Sequence, residues 1–181
     1  CPMYMDIHPL EHHYNIPIFA QHIDPITAGA YTGMISAHSI RVAGACGSLV
    51  NHSEHRQTLA DIETCVRMLH SEEMWSCVCT NNVASTRAAA AYNPDFVAIE
   101  PPELIGSGVS VSKANPEIIK ESVAAAKLVS PDIRVLTGAG ISTGECVKTA
   151  LELGSDGVLL ASGVVKSGDP KAALQTLISL L

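Results

Sequence analysis

Glu100 closes the apolar run Phe96-Val97-Ala98-Ile99 and is followed at once by Pro101-Pro102 and Glu103-Leu104-Ile105-Gly106-Ser107-Gly108. Such a run reads as a strand buried on both faces, the kind that parallel sheets contain. A carboxylate fixed at the carboxyl end of that strand is placed to accept a proton. The glycine-bearing segment behind it has the ends of a hinged lid. His52 stands in a second position of this type, after Gly47-Ser48-Leu49-Val50-Asn51, with Ser53 reading as the N-cap of the next helix. An imidazole at the positive end of a helix dipole is favoured in its neutral, hydrogen-bond-donating form. A base on one strand end and a neutral donor two strands away suit proton abstraction beside a carbonyl. A solvated Glu before a proline turn and a His packed at a sheet rim are the plain alternatives, and these residues by themselves leave both open.

Two later apolar runs end in small residues. Thr137-Gly138-Ala139-Gly140-Ile141-Ser142 follows one, and Leu160-Ala161-Ser162-Gly163 follows the last. Small residues let backbone N–H groups approach an anion, and a helix N-terminus adds its dipole. In barrels of alternating strands and helices, the loops after the last two strands often form a phosphate site.

The elements that must position these residues alternate at a regular beat. Strands are expected at Ile16–His22, Gly47–Asn51, Trp75–Cys79, Asp95–Glu100, Arg134–Gly138 and Gly157–Ala161. Helices are expected at Pro9–Tyr14, Ile35–Ala43, Arg56–His70, Ala84–Tyr92, Pro116–Val129, Gly144–Leu153 and Pro170–Leu181. Asn115-Pro116 and Asp169-Pro170 each read as an N-cap followed by Pro at the first helical position. Ser142-x-x-Glu145 has the form of a capping box, and Gly154 stands where a helix ends. Six strands and seven helices in this rhythm predict a parallel α/β fold, in one domain over residues 1–181. The beat is that of a (β/α)₈ barrel short of about two strands and a helix at its amino end, with a doubly wound open sheet as the alternative. An open arc of six strands would leave two unpaired edges, so this chain by itself is expected to be poorly stable.

Bulk properties narrow the function. Net charge is −7 without a Lys/Arg cluster, which argues against nucleic acid or an anionic membrane as partner. Hydrophobic residues make up 47% and charged residues 16%, so the chain has the material for a core. No apolar run reaches the length of a membrane span, and a cytoplasmic protein is expected. The six cysteines sit mostly among apolar neighbours and read as buried free thiols. Cys77 and Cys79 share a strand face, but C-x-C is not the redox spacing. His8, His12 and His13 do not converge on one helix face. No metal or other cofactor is expected.

Four segments taken together carry a resemblance: Asn51-His52-Ser53-Glu54, Glu100 to Gly108, Gly138 to Gly144 and Leu159 to Gly163. In this order they resemble the triosephosphate isomerase family in its short archaeal form, and the similarity runs from Cys1 to Leu181. Phe19 to Asp24 with Gly29 to Gly33 looks like the family's third strand and interface loop. Cys1-Pro2 matches the end of its second strand.

The resemblance implies a TIM (β/α)₈ barrel, N-terminally truncated here, that interconverts dihydroxyacetone phosphate and glyceraldehyde 3-phosphate through an enediolate. It implies a place in glycolysis and gluconeogenesis, and a homo-oligomer, tetramer or dimer. By the same resemblance Glu100 is the base, His52 the electrophile, and Pro101 to Gly108 the lid. Ile105, Gly106, Gly138, Gly140, Ala161 and Ser162 would hold the phosphate. Glu103 rides on the lid, so Glu100 is the better base of the two. The family also carries an Asn-x-Lys on its first strand, which has no counterpart in these residues. Lys113 and Lys166 read as solvated lysines rather than substitutes. The alternatives are a non-catalytic phosphate-binding barrel remnant and another phosphate-binding barrel enzyme, neither of which requires the lid motif.

Overall fold

A computed structural model describes residues 1–104 and 110–181 of the chain. Ile105, Gly106 and the 105–108 part of the expected lid lie outside the described residues, as do the side chains of Glu103 and Lys113. The described residues group into two compact units, Cys1–Cys79 with Tyr92–Phe96, and Thr80–Ala91 with Val97–Leu181.

In the first unit, helix α1 (Tyr4–His13) precedes strand β1 (Phe19–Ala20), and helix α2 (Ala37–Val42) leads to β2 (Gly47–Val50). Helix α3 (Leu59–Ser71) then leads to β3 (Trp75–Thr80, its last residue counted with the second unit). β1 pairs in parallel with β2, and β2 with β3 from Gly47↔Trp75 to Val50↔Val78. All four residues of β2 and the last five of β3 are buried, so both faces of each strand carry apolar or small residues rather than alternating with charged ones. α3 buries Ile62, Cys65, Val66 and Leu69. That spacing puts all four on one helical stripe, where each fully buried aliphatic side chain contributes about 1.5–3 kcal/mol. Thr58 opens α3 with a capping box closed by Asp61.

The second unit contains α4 (Val83–Ala90), β4 (Phe96–Ile99, shared at Phe96), α5 (Val111–Ala114) and α6 (Pro116–Val129). It continues with β5 (Arg134–Gly138), α7 (Gly144–Glu152), β6 (Gly157–Leu159), α8 (Ser162–Val165) and α9 (Pro170–Leu177). β5 and β6 are parallel, Leu136 facing Gly157. Strand order follows sequence order, β1-β2-β3 in the first unit and β4-β5-β6 in the second. In neither unit does it reverse, as a doubly wound sheet requires at its switch point. Ile141, Cys146, Val147 and Leu177 form a buried cluster that packs the loop after β5 against α7 and α9. No described helix is long and apolar enough to cross a membrane, and the six cysteines are free thiols.

Several expectations change: β1 pairs only at Phe19–Ala20 instead of Ile16–His22, and α1 runs Tyr4–His13 with Pro9 inside it instead of Pro9–Tyr14. α3 begins at Leu59 with Thr58 as its cap, not at Ser53. Asn51 adopts φ 61°, turning the chain before a helix can start. Thr143, not Ser142, caps α7 and accepts from the Cys146 N–H at 3.3 Å. Nine α-helices occur among the described residues, because α5 and α8 add four-residue turns to the expected seven.

Candidate active site

His52 lies just beyond β2, in a turn closed by the His55 N–H donating to the His52 carbonyl at 2.8 Å. Side-chain amides fasten that turn. The Asn51 N–H donates to Gln57 Oε1, and the Gln57 N–H to Asn51 Oδ1, each at 2.9 Å. Asn51 Nδ2 donates to the Cys79 carbonyl at 2.9 Å, and Gln57 Nε2 to the Ile23 carbonyl at 3.1 Å. These bonds hold a non-glycine residue in the left-handed region, a conformation that persists only where its surroundings impose it. Sequence reasoning passed over Gln57. Its signal was the amide pair six residues apart around a candidate His.

The imidazole of His52 is about one-quarter exposed, and its Nδ1 accepts from the Glu54 N–H at 3.4 Å. The Glu54 carboxylate lies 3.5 Å from the same nitrogen but is 85% exposed, so of these two the backbone donor is the better fixed. An accepting Nδ1 assigns the proton of the neutral ring to Nε2, which becomes a donor. The tautomer thus comes from a local backbone group, since the α3 dipole begins six residues away.

In the second unit Glu100 follows β4, with its N–H donating to the Thr80 carbonyl at 2.8 Å. The residue is 7% exposed. The carboxylate is seated against Gly138: a Cβ there would lie 2.6 Å from both Glu100 Cγ and Oε1. Only a residue without a side chain admits the carboxylate at that distance. Gly138 therefore stands beside the candidate base as well as at the start of the candidate phosphate loop.

That loop continues through Ala139 and Gly140, both left-handed at φ 74° and 69°. The Ala139 carbonyl accepts from the Val111 N–H at 3.2 Å, tying the loop to α5. The loop after β6 meets it, since a Cβ on Gly163 would lie 2.8 Å from the Ile141 carbonyl. Ala161 and Ser162, both exposed, start the single turn of α8. The first N–H groups of a helix have no acceptor within it, so they are available to an anion. Gly138, Gly140, Ala161 and Ser162 thus belong to two loops in mutual contact. Lys166 is exposed at the end of α8.

Three nearby groups have displaced acidities. Burial lowers the His22 imidazole below its ordinary value although Asp24 opposes the shift. Burial raises the Cys65 thiol to about 11. At Cys146 burial acts upward, but hydrogen bonds from Thr143 and Ser110 outweigh it and lower the thiol.

Residues 1–179 match the model of the family described as triosephosphate isomerase. The chain belongs to the triosephosphate isomerase family. It is 61% identical over 180 residues to a triosephosphate isomerase of Methanoculleus marisnigri, covering 99% of this chain and 81% of that one. It is 58% identical over 178 residues to that of Methanothermus fervidus, covering 98% and 80%. The corresponding protein of Methanosarcina mazei is 53% identical over 180 residues, covering 99% and 81%. Membership in this family accounts for the parallel α/β pattern, which is that of a TIM barrel.

Proposed function

We propose that the protein interconverts dihydroxyacetone phosphate and glyceraldehyde 3-phosphate, with Glu100 and His52 as the groups that move protons. Glu100 takes the proton from the carbon beside the substrate carbonyl. The Nε2–H of His52 donates to the carbonyl oxygen as negative charge gathers there, and an enediolate forms. His52 gives that proton to the carbonyl oxygen and takes one from the neighbouring hydroxyl. Glu100 returns its proton to the neighbouring carbon, so a new carbonyl forms and the reaction needs no cofactor. This division of labour between a carboxylate and a neutral imidazole is the known pattern of triosephosphate isomerase.

The observation that carries the assignment of the base is the seating of Glu100, buried at the end of β4 and held by Gly138. A desolvated carboxylate fixed at a strand end is a better base toward carbon than a hydrated one. Gly138, Gly140, Ala161 and Ser162 bind the phosphate through backbone N–H groups, and Ile105 and Gly106 close over it. Glycolysis and gluconeogenesis are the setting of such a reaction. Free cysteines and the lack of a membrane-spanning helix among the described residues support a cytoplasmic location. The exposed Tyr31 and Met34 beside Gly29–Gly33, which resembles the family's interface loop, support a homo-oligomer.

The test is isomerase turnover of Glu100→Gln and Glu103→Gln. Glu100→Gln nearly abolishes kcat, while Glu103→Gln stays within about tenfold of the parent. The reverse order assigns the base to Glu103. Full activity in both variants removes the carboxylate mechanism altogether.

A further inference from the structure

His22, Asp24 and His55 come together beside the turn that carries His52, and the proton-transfer chemistry uses none of them. One candidate ligand atom from each lies within 4.8 Å of the others. His22 is buried at 8% exposure and holds its Nε2 3.2 Å from Asp24 Oδ1. Two ligands about 2.05 Å from a tetrahedral ion stand roughly 3.3 Å apart, so this pair already spans one edge of a coordination tetrahedron. The second carboxylate oxygen is committed elsewhere, since Asp24 Oδ2 accepts from the Ile35 N–H at 2.7 Å. Outer hydrogen bonds of that type orient metal-ligating carboxylates.

We infer that these three residues form a binding site for a divalent ion of the zinc type. Two imidazoles and one carboxylate suit zinc, cobalt or nickel over magnesium or calcium, which take oxygen ligands. The imidazoles of His22 and His55 stack with centroids 3.7 Å apart and planes inclined by 15°. Parallel rings aim their lone pairs side by side, not at one point. Binding therefore tilts His55, the exposed member of the stack, until its nitrogen converges with the other two. Water completes the fourth position. Because the His55 N–H bonds the His52 carbonyl, the ion would pin the His52 turn to the segment after β1.

The experiment uses purified, chelator-treated protein, titrated with Zn²⁺ by calorimetry and with Co²⁺ by absorption. Parent, His55→Ala, His55→Gln and His12→Ala proteins are compared, with circular dichroism confirming the fold of each. The expected result is one equivalent of ion per chain and a cobalt spectrum without thiolate charge-transfer absorption. Both His55 variants weaken binding at least about tenfold, and His12→Ala does not. With zinc at about 100 times its dissociation constant, Tm rises by about 5–10 °C in the parent. Absence of stoichiometric uptake, uptake unchanged in both His55 variants, or a thiolate band would each overturn the site.

Discussion

The carboxylate of Glu100 occupies the space where Gly138 would carry a side chain, 2.6 Å from the position of its missing Cβ. An added methyl must therefore move either the loop or the carboxylate. Gly138→Ala should lower kcat by about a hundredfold, the scale expected when a reacting group shifts by about 1 Å. KM should rise as well if the loop is what moves, since Gly138 is also proposed to bind the phosphate, and circular dichroism should show the fold intact. Steady-state kinetics decide the point: an unchanged kcat would mean that Glu100 is not held where it works.

The amide pair Asn51–Gln57 fixes the turn that presents His52. Gln57→Leu keeps much of the volume but removes the partner of the Asn51 N–H and the amide donor to the Ile23 carbonyl, which keeps only the weaker Cys65 thiol. The expected loss is about 1–3 kcal/mol in denaturant unfolding. kcat should also fall by about tenfold or more, because the imidazole loses its fixed orientation. A stability loss with undiminished kcat would separate the turn from the chemistry.

Gly163 lies against the Ile141 carbonyl at a distance that excludes a Cβ. Gly163→Ala should part the two loops proposed to hold the phosphate. Inhibition by inorganic phosphate should weaken by about tenfold, with KM rising more than kcat falls, as when binding common to ground and transition states is lost. The inhibition constant is the quantity to follow.

Burial holds the Cys65 thiol protonated up to about pH 11, against an ordinary value of 9.0. In the unfolded chain that thiol ionises first, so between those values the unfolded state binds fewer protons. Stability from this group is complete below pH 9 and is lost as pH rises toward 11. Cys65→Ala lowers stability throughout by opening a small cavity, but should flatten the alkaline fall. Urea midpoints at pH 8 and pH 10 measure the difference in slope between parent and variant.

Much of this architecture could be read from residue order, for identifiable reasons. β4 stands out as the unbroken apolar run Phe96–Ile99, and β2 and β5 through apolar Leu49-Val50 and Val135-Leu136 next to small residues, so the bounds of all three fall within a residue or two. α6 is found at Pro116–Val129 as expected, because Asn115 accepts from the Ile118 N–H and Pro116 occupies the first position. β1 is different. Seven residues read as strand, yet only Phe19–Ala20 pair with β2, since pairing depends on a partner that local sequence does not contain.

The short helices α5 and α8 are too brief to display a helical period, and they were invisible for that reason. The candidate site divides along the same line. Glu100 and His52 are visible as polar residues that end apolar runs. The contact of Glu100 with Gly138 and the stack of His22 on His55 join residues distant in the chain, and only folding brings them together. The supposed cap at Ser53 fails because Asn51 takes a left-handed turn that no propensity favours strongly enough to predict.

That left-handed turn also determines which part of the molecule His52 moves with. Its fastenings run to Cys79 and Ile23, near strand ends, whereas the first turn of α3 is closed separately by Thr58 and Asp61. The helix can thus fray at its beginning without releasing the imidazole. In native-state hydrogen exchange the Asn51 and Gln57 amides should stay protected after the exposed first turn of α3 has exchanged. Cooperatively, His52 would belong to the sheet that precedes it and not to the helix that follows.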